Sequence, residues 1–87
     1  MDQATIAEEL NTFIRAKYEV GDDDPDFDKD VHLFDYGYID SFGAVELTSF
    51  VEDKFGVKVT DTDLVVHPLN TIHEISDFIA KRREGEI

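Results

Sequence analysis

Ser41 is the residue in this chain best placed for covalent chemistry, because Asp40-Ser41 stands immediately before a segment with helical periodicity. A helix N-terminus offers unpaired N–H groups and the positive end of the helix dipole, and both suit a bound phosphate. A serine hydroxyl there could carry a phosphodiester. The same place also suits an N-cap, the commoner use of Ser and Asp at a helix start, so position alone leaves both uses open. Asp40 beside a covalent anion would be costly unless it had a separate purpose, such as meeting the modifying enzyme and its metal.

Two other chemistries fit less well. Nucleophilic catalysis by Ser41 would need an adjacent base and an oxyanion hole. Ile39 stands where a Gly-x-Ser-x-Gly elbow requires its first glycine, and His32, His67 and His73 are scattered along the chain. The histidines also lack the i, i+4 spacing of a helical metal pair, and surface or capping roles suit them better. No enzyme activity is expected. Calcium is the second rival, since Asp24, Asp26, Asp28, Asp30, His32 and Asp35 fall at positions 1, 3, 5, 7, 9 and 12 of a twelve-residue loop. Lys29 occupies the position that wants glycine, Pro25 the second position, and Asp35 is shorter than the usual bidentate Glu. The cluster reads better as a solvated acidic loop that attracts divalent ions weakly and without specificity.

These residues must be positioned by one small core. Leu, Ile, Val and Phe make up 27 of the 87 residues, well above the roughly 20% below which a charged chain stays disordered. Residues 1–87 are therefore expected to form a single domain. The net charge of -13 repels phosphate backbones and anionic bilayers and attracts basic protein surfaces. Nucleic acid is not expected as a partner, nor is membrane insertion, because no apolar run is long enough for a signal or a span. Cysteine is absent, which removes disulfides, thiolate metal sites and cysteine nucleophiles and makes a cytoplasmic protein the expectation.

The periodicity predicts three main helices and one short one, an all-α four-helix bundle with a long loop between the first two helices. Ile6, Leu10, Phe13, Ile14 and Tyr18 recur at helical spacing from Thr5 to Tyr18, with Thr5 and Glu8 in capping-box positions. Gly21 and the run Asp22 to Asp30 open a loop reaching about Ile39, pegged to the core by Phe27, Val31, Leu33, Phe34 and Ile39. A second helix is predicted from Ser41 to Phe55, ended by Gly56. Val57 to Val59 reads as extended loop, and Asp61 to Val66 leaves room for a turn or two of helix before Pro68. The last helix starts at Thr71, whose capping box uses Glu74, and Lys81, Arg82 and Arg83 complement its C-terminal dipole.

At about 100° per residue the second helix has two faces. Ala44, Leu47, Val51 and Phe55 form a core stripe, with Thr48 and the stem of Lys54 at its edges. Opposite them lie Phe42, Val45, Glu46, Ser49, Glu52 and Asp53, an acidic face with two apolar residues near its start. Phe42 could tuck under the long loop as ordinary core. Apolar residues ringed by carboxylates also suit docking of a basic partner.

The run Gly37-Tyr38-Ile39-Asp40-Ser41-Phe42-Gly43-Ala44-Val45-Glu46-Leu47 resembles the attachment motif of the acyl and peptidyl carrier proteins, Gly-x-x-Asp-Ser before an acidic helix. The likeness continues through Glu52 to Val59, Asp61 to Leu64, Asn70-Thr71-Ile72 and Ile75. Asp-Ser-Phe-Gly-x-Val-Glu-Leu is most similar to the D-alanyl carriers and related discrete carriers. Fatty-acid carriers usually have Asp-Ser-Leu and an acid where this chain has Gly43, so a dedicated aminoacyl or specialised acyl role is favoured.

The resemblance implies that Ser41 is esterified by 4′-phosphopantetheine from coenzyme A and that a thioester on this arm carries the cargo. By similarity, Asp40 assists docking of the phosphopantetheinyl transferase. Phe42, Val45, Glu46, Ser49, Glu52 and Asp53 form the recognition surface. The implied partners are that transferase, an acyl- or aminoacyl-activating ligase and downstream acyltransferases, served by a monomeric carrier. An unmodified acidic interaction module with the same bundle is the alternative, and it would tolerate loss of Ser41.

Overall fold

Asp2 opens the first helix, α1 (Gln3–Lys17), in the computed structural model, which describes residues 1–87. Its backbone is extended, and its Oδ1 accepts the Thr5 N–H at 2.8 Å. The helix thus starts ahead of the expected Thr5–Glu8 box. Thr5 is already helical and cannot act as a cap, and Glu8 instead pairs with Lys29 at 3.1 Å. Ile6, Leu10 and Ile14 are buried as their spacing demands. Tyr18 lies one residue past the helix, its N–H closing the last turn onto the Ile14 carbonyl at 2.9 Å.

The long loop contains no strand or helix, yet it is well tied. Phe27, Val31, Leu33 and Ile39 are buried and Phe34 is half-buried, as expected of pegs. The Leu33 N–H donates to the Asn70 carbonyl and the His73 N–H to the Lys29 carbonyl, each at 2.9 Å, so the loop is laced to the start of the last helix. Asp24 accepts the Asp26 N–H at 2.9 Å and the Tyr38 hydroxyl at 3.1 Å. Burial and that carboxylate both push the Tyr38 phenol pKa upward.

The second helix, α2 (Ser41–Phe55), ends where expected, on Gly56 with φ 68°, a left-handed conformation that a side chain disfavours. Leu47, Val51 and Phe55 are buried and Ala44 is half-buried. A third helix, α3 (Asp61–Val66), starts with a capping box that periodicity did not show: Thr60 and Asp63 exchange bonds reciprocally. The last helix, α4 (Ile72–Arg83), has the expected Thr71–Glu74 box. The four helices make an all-α bundle in which α1 packs against α4, and one cluster of 16 buried apolar residues runs from Ile6 to Ile79.

Candidate functional site

The N-cap of α2 is Asp40, not Ser41, because Asp40 has the extended backbone that a cap needs while Ser41 is the first helical residue. Asp40 Oδ1 accepts the Gly43 N–H at 2.7 Å, and the Asp40 carbonyl accepts the Ala44 N–H at 2.9 Å. Ser41 is exposed and relieved of capping, and the N–H groups of Ser41 and Phe42 have no place in the helical ladder. An exposed hydroxyl, two free donors and the positive dipole end fit a phosphate ester. The carboxylate of Asp40 caps the turn through the Gly43 N–H, which gives that acid a purpose of its own beside a phosphate.

The face next to Ser41 divides into free and engaged residues. Phe42 is 74% and Val45 65% exposed, so neither is core, and the tuck under the loop does not occur. Ser49 and Asp53 are exposed as well. Glu46 is half-buried against α1, with Oε2 3.1 Å from Lys17 Nζ and Oε1 3.5 Å from the Tyr18 hydroxyl. Glu52 Oε2 accepts the Val59 N–H at 3.0 Å, bracing the extended segment after α2.

Under α2, Phe34, Leu47, Val51, Val59, Leu64 and Phe78 help to line an apolar cavity of about 70 Å³. A polar junction lies between α3 and α4. Asp63 Oδ1 is 2.7 Å from Arg82 Nη2 and Oδ2 is 3.1 Å from Nη1, while the Thr60 N–H and hydroxyl donate to Oδ2 at 2.9 Å each. The Arg82 guanidinium and then the Thr60 N–H hold the Asp63 carboxyl well below the usual carboxylate range. Sequence reading assigned Arg82 only to the helix dipole. The Thr60-x-x-Asp63 spacing was the available signal for the capping half of this junction.

The rival chemistries are not assembled. His32 Nδ1 accepts the Asp35 N–H at 3.0 Å, His73 pairs with Asp30 at 3.4 Å, and His67 packs on the Phe78 ring. No three His, Cys, Asp or Glu side chains gather as a metal-ligand set; Asp24 accepts from the Asp26 N–H and the Tyr38 hydroxyl, and Asp28 from the Asp30 N–H.

Residues 4–79 match the family described as "Phosphopantetheine attachment site". The chain belongs to this family of carriers. Its cofactor is 4′-phosphopantetheine. The D-alanyl carrier protein of Bacillus velezensis is 39% identical over 46 residues, 53% of this carrier and 59% of that protein. The D-alanyl carrier protein of Bacillus subtilis is 34% identical over 53 residues, 56% of this carrier and 68% of that protein. The first match thus spans less than two thirds of the relative's length. Both relatives are named as carriers and not as enzymes. No helix of this carrier is long and apolar enough to cross a membrane.

Proposed function

We propose that Ser41 bears the 4′-phosphopantetheine arm and that residues 1–87 form one carrier domain for an acyl or aminoacyl cargo. The observation that carries this reading is the exposed Ser41 hydroxyl at the head of α2, freed from capping by Asp40 and flanked by two unpaired N–H groups. In the loading step Ser41 Oγ forms a new P–O bond as the pyrophosphate P–O bond to the nucleotide part of coenzyme A breaks. The hydroxyl proton leaves to a base on the transferase. The chain has no cysteine, so the arm supplies the thiol on which the cargo rides as a thioester.

The partner-facing surface comprises Phe42, Val45, Ser49 and Asp53, with Glu46 and Glu52 at its edges. Phe42 and Val45 contribute apolar contact, and the acidic surround orients a basic partner and hastens its encounter. The phosphopantetheinyl transferase reads this surface with Asp40, and a cargo-activating ligase and acyltransferases use it in turn.

A short cargo is favoured. The cavity beneath α2 holds about 70 Å³, smaller than the roughly 150 Å³ that accommodates a benzene ring in an engineered apolar cavity. A long acyl chain would need the helices to move, whereas an aminoacyl group needs no shelter. The two relatives are named for D-alanyl cargo, which makes that group the first candidate.

The test is the intact mass of the protein after incubation with coenzyme A and a broad-specificity phosphopantetheinyl transferase. The wild type gains one phosphopantetheine and Ser41→Ala gains none, while its stability changes by less than about 0.5 kcal/mol because Ser41 caps nothing. A folded wild type that gains no mass refutes the reading and leaves an unmodified interaction module.

A further inference from the structure

Gly43 is held from two sides at the turn that follows Ser41. Its N–H donates to Asp40 Oδ1 at 2.7 Å, and its carbonyl accepts the Tyr18 hydroxyl at 2.9 Å. Ser41 and Phe42 are the two residues between these anchor points, Asp40 and Gly43. Tyr18 is itself fixed, for it directly follows α1 and its ring meets Phe13 edge-on with centroids 6.4 Å apart. Burial and the neighbouring Glu46 carboxylate raise the Tyr18 phenol pKa, so the hydroxyl stays protonated and able to donate.

The absence of a side chain at Gly43 makes this approach possible. A Cβ there would lie 2.8 Å from Ile39 Cγ2 and 3.1 Å from Tyr18 Cε1 and its hydroxyl oxygen. Inside a helix glycine costs about 1 kcal/mol relative to alanine, so its presence needs a reason of this kind. The same contact accounts for Gly43 where fatty-acid carriers usually have an acid.

We propose that Tyr18 is a positioning residue for the modification of Ser41: by gripping the Gly43 carbonyl, it fixes the direction in which the first turn of α2 presents the Ser41 hydroxyl. The proposal rests on Ser41 being the attachment residue. Tyr18 touches neither the hydroxyl nor the incoming phosphate, and its effect passes through the backbone of one turn. A small misplacement of a reacting atom slows a bound reaction more than it weakens binding. Loss of the phenol oxygen therefore acts on the chemical step and not on docking.

The experiment compares wild type, Tyr18→Phe and Ile14→Val in single-turnover loading from coenzyme A by a phosphopantetheinyl transferase, with carrier concentration varied. Amide hydrogen exchange of Gly43 is followed in the unmodified proteins. Ile14→Val trims the buried core beside Tyr18 and serves as a control for lost stability. Tyr18→Phe is expected to load on the order of tenfold more slowly at saturation, with half-saturation within about twofold of wild type and faster Gly43 exchange. Ile14→Val keeps the wild-type saturating rate.

An unchanged saturating rate in Tyr18→Phe overturns the proposal. So does a rise in half-saturation alone, which makes Tyr18 a docking residue, or equal slowing in Ile14→Val, which makes the effect one of stability. A wild type that fails to load refutes the attachment reading itself, whereas a wild type that loads beside an unaffected Tyr18→Phe refutes only this inference.

Discussion

Two helices of this carrier present apolar side chains to water, and they are held in place by opposite means. The start of α2 exposes Phe42 and Val45, but the same helix buries Leu47, Val51 and Phe55 in the common core. The short α3 exposes Leu64, Val65 and Val66, and its one buried residue is Asp63, clamped by Arg82 and Thr60. One helix is seated by apolar burial and the other by a polar latch. Apolar burial is insensitive to pH, whereas a charged latch is not. The difference suits a carrier whose proposed attachment turn, at the start of α2, must hold still, and it makes α3 the wall of the small cavity that is easier to loosen.

The comparison breaks most severely at Leu47. Leu47→Ala is expected to lower the stability of the whole fold by about 2–5 kcal/mol, read by denaturant unfolding, because it opens a void under α2. Asp63→Asn should act more locally: it lowers the melting temperature and speeds amide exchange in α3 while the exchange of α2 stays near wild type. The same latch has a pH signature. Its carboxyl is held below its unfolded value, so Asp63 contributes stability that is present above the ordinary carboxylate pKa of about 4 and is lost as pH falls beneath it. Thermal melts between neutral pH and pH 3 should therefore show α3 loosening on the acid side in wild type, and Asp63→Asn should flatten that part of the dependence.

Gly43→Ala sharpens the contrast at the first turn of α2. In an open helix this change would stabilise by about 1 kcal/mol, but the crowding against Ile39 and Tyr18 costs about 1–3 kcal/mol. Thermal unfolding should show a net loss. The smallest effect is expected at Val65, 86% exposed: Val65→Ser should change stability by no more than about 0.5 kcal/mol in the same measurement.

Much of this architecture is legible in the amino-acid sequence because its signals are local. Gly56 ends α2 and the Thr71–Glu74 box opens α4 at the residues their spacing indicates. Helical period sets Phe42 and Val45 opposite the Leu47–Val51–Phe55 stripe, but it leaves open whether Phe42 tucks under the long loop, and only the folded loop shows that it does not. The misplaced box at Thr5 and the choice of cap left open at Ser41 share one cause. In each case an aspartate earlier in the chain, Asp2 or Asp40, has the extended backbone and accepts the N–H three residues on. Several adjacent residues can cap, and only the backbone decides among them.

What stayed hidden is non-local and polar. Tyr18 was legible as an apolar helical residue, but its hydroxyl finds Gly43 25 residues later. Asp63 finds Arg82 19 residues on. Periodicity reports which face of a helix is apolar and carries no information about where a buried polar tip finds its partner. A glycine within the second helix was the one sequence sign that another group approaches the backbone there.

The most direct test of the central claim is to locate the added group within the loaded protein. Tryptic cleavage after Lys29 and Lys54 leaves Asp30 to Lys54 as one peptide, which contains the hydroxyls of Tyr36, Tyr38, Ser41, Thr48 and Ser49. Fragmentation of this peptide by tandem mass spectrometry should place one phosphopantetheine on Ser41. Its appearance on any other hydroxyl of this peptide or in any other peptide would contradict the account.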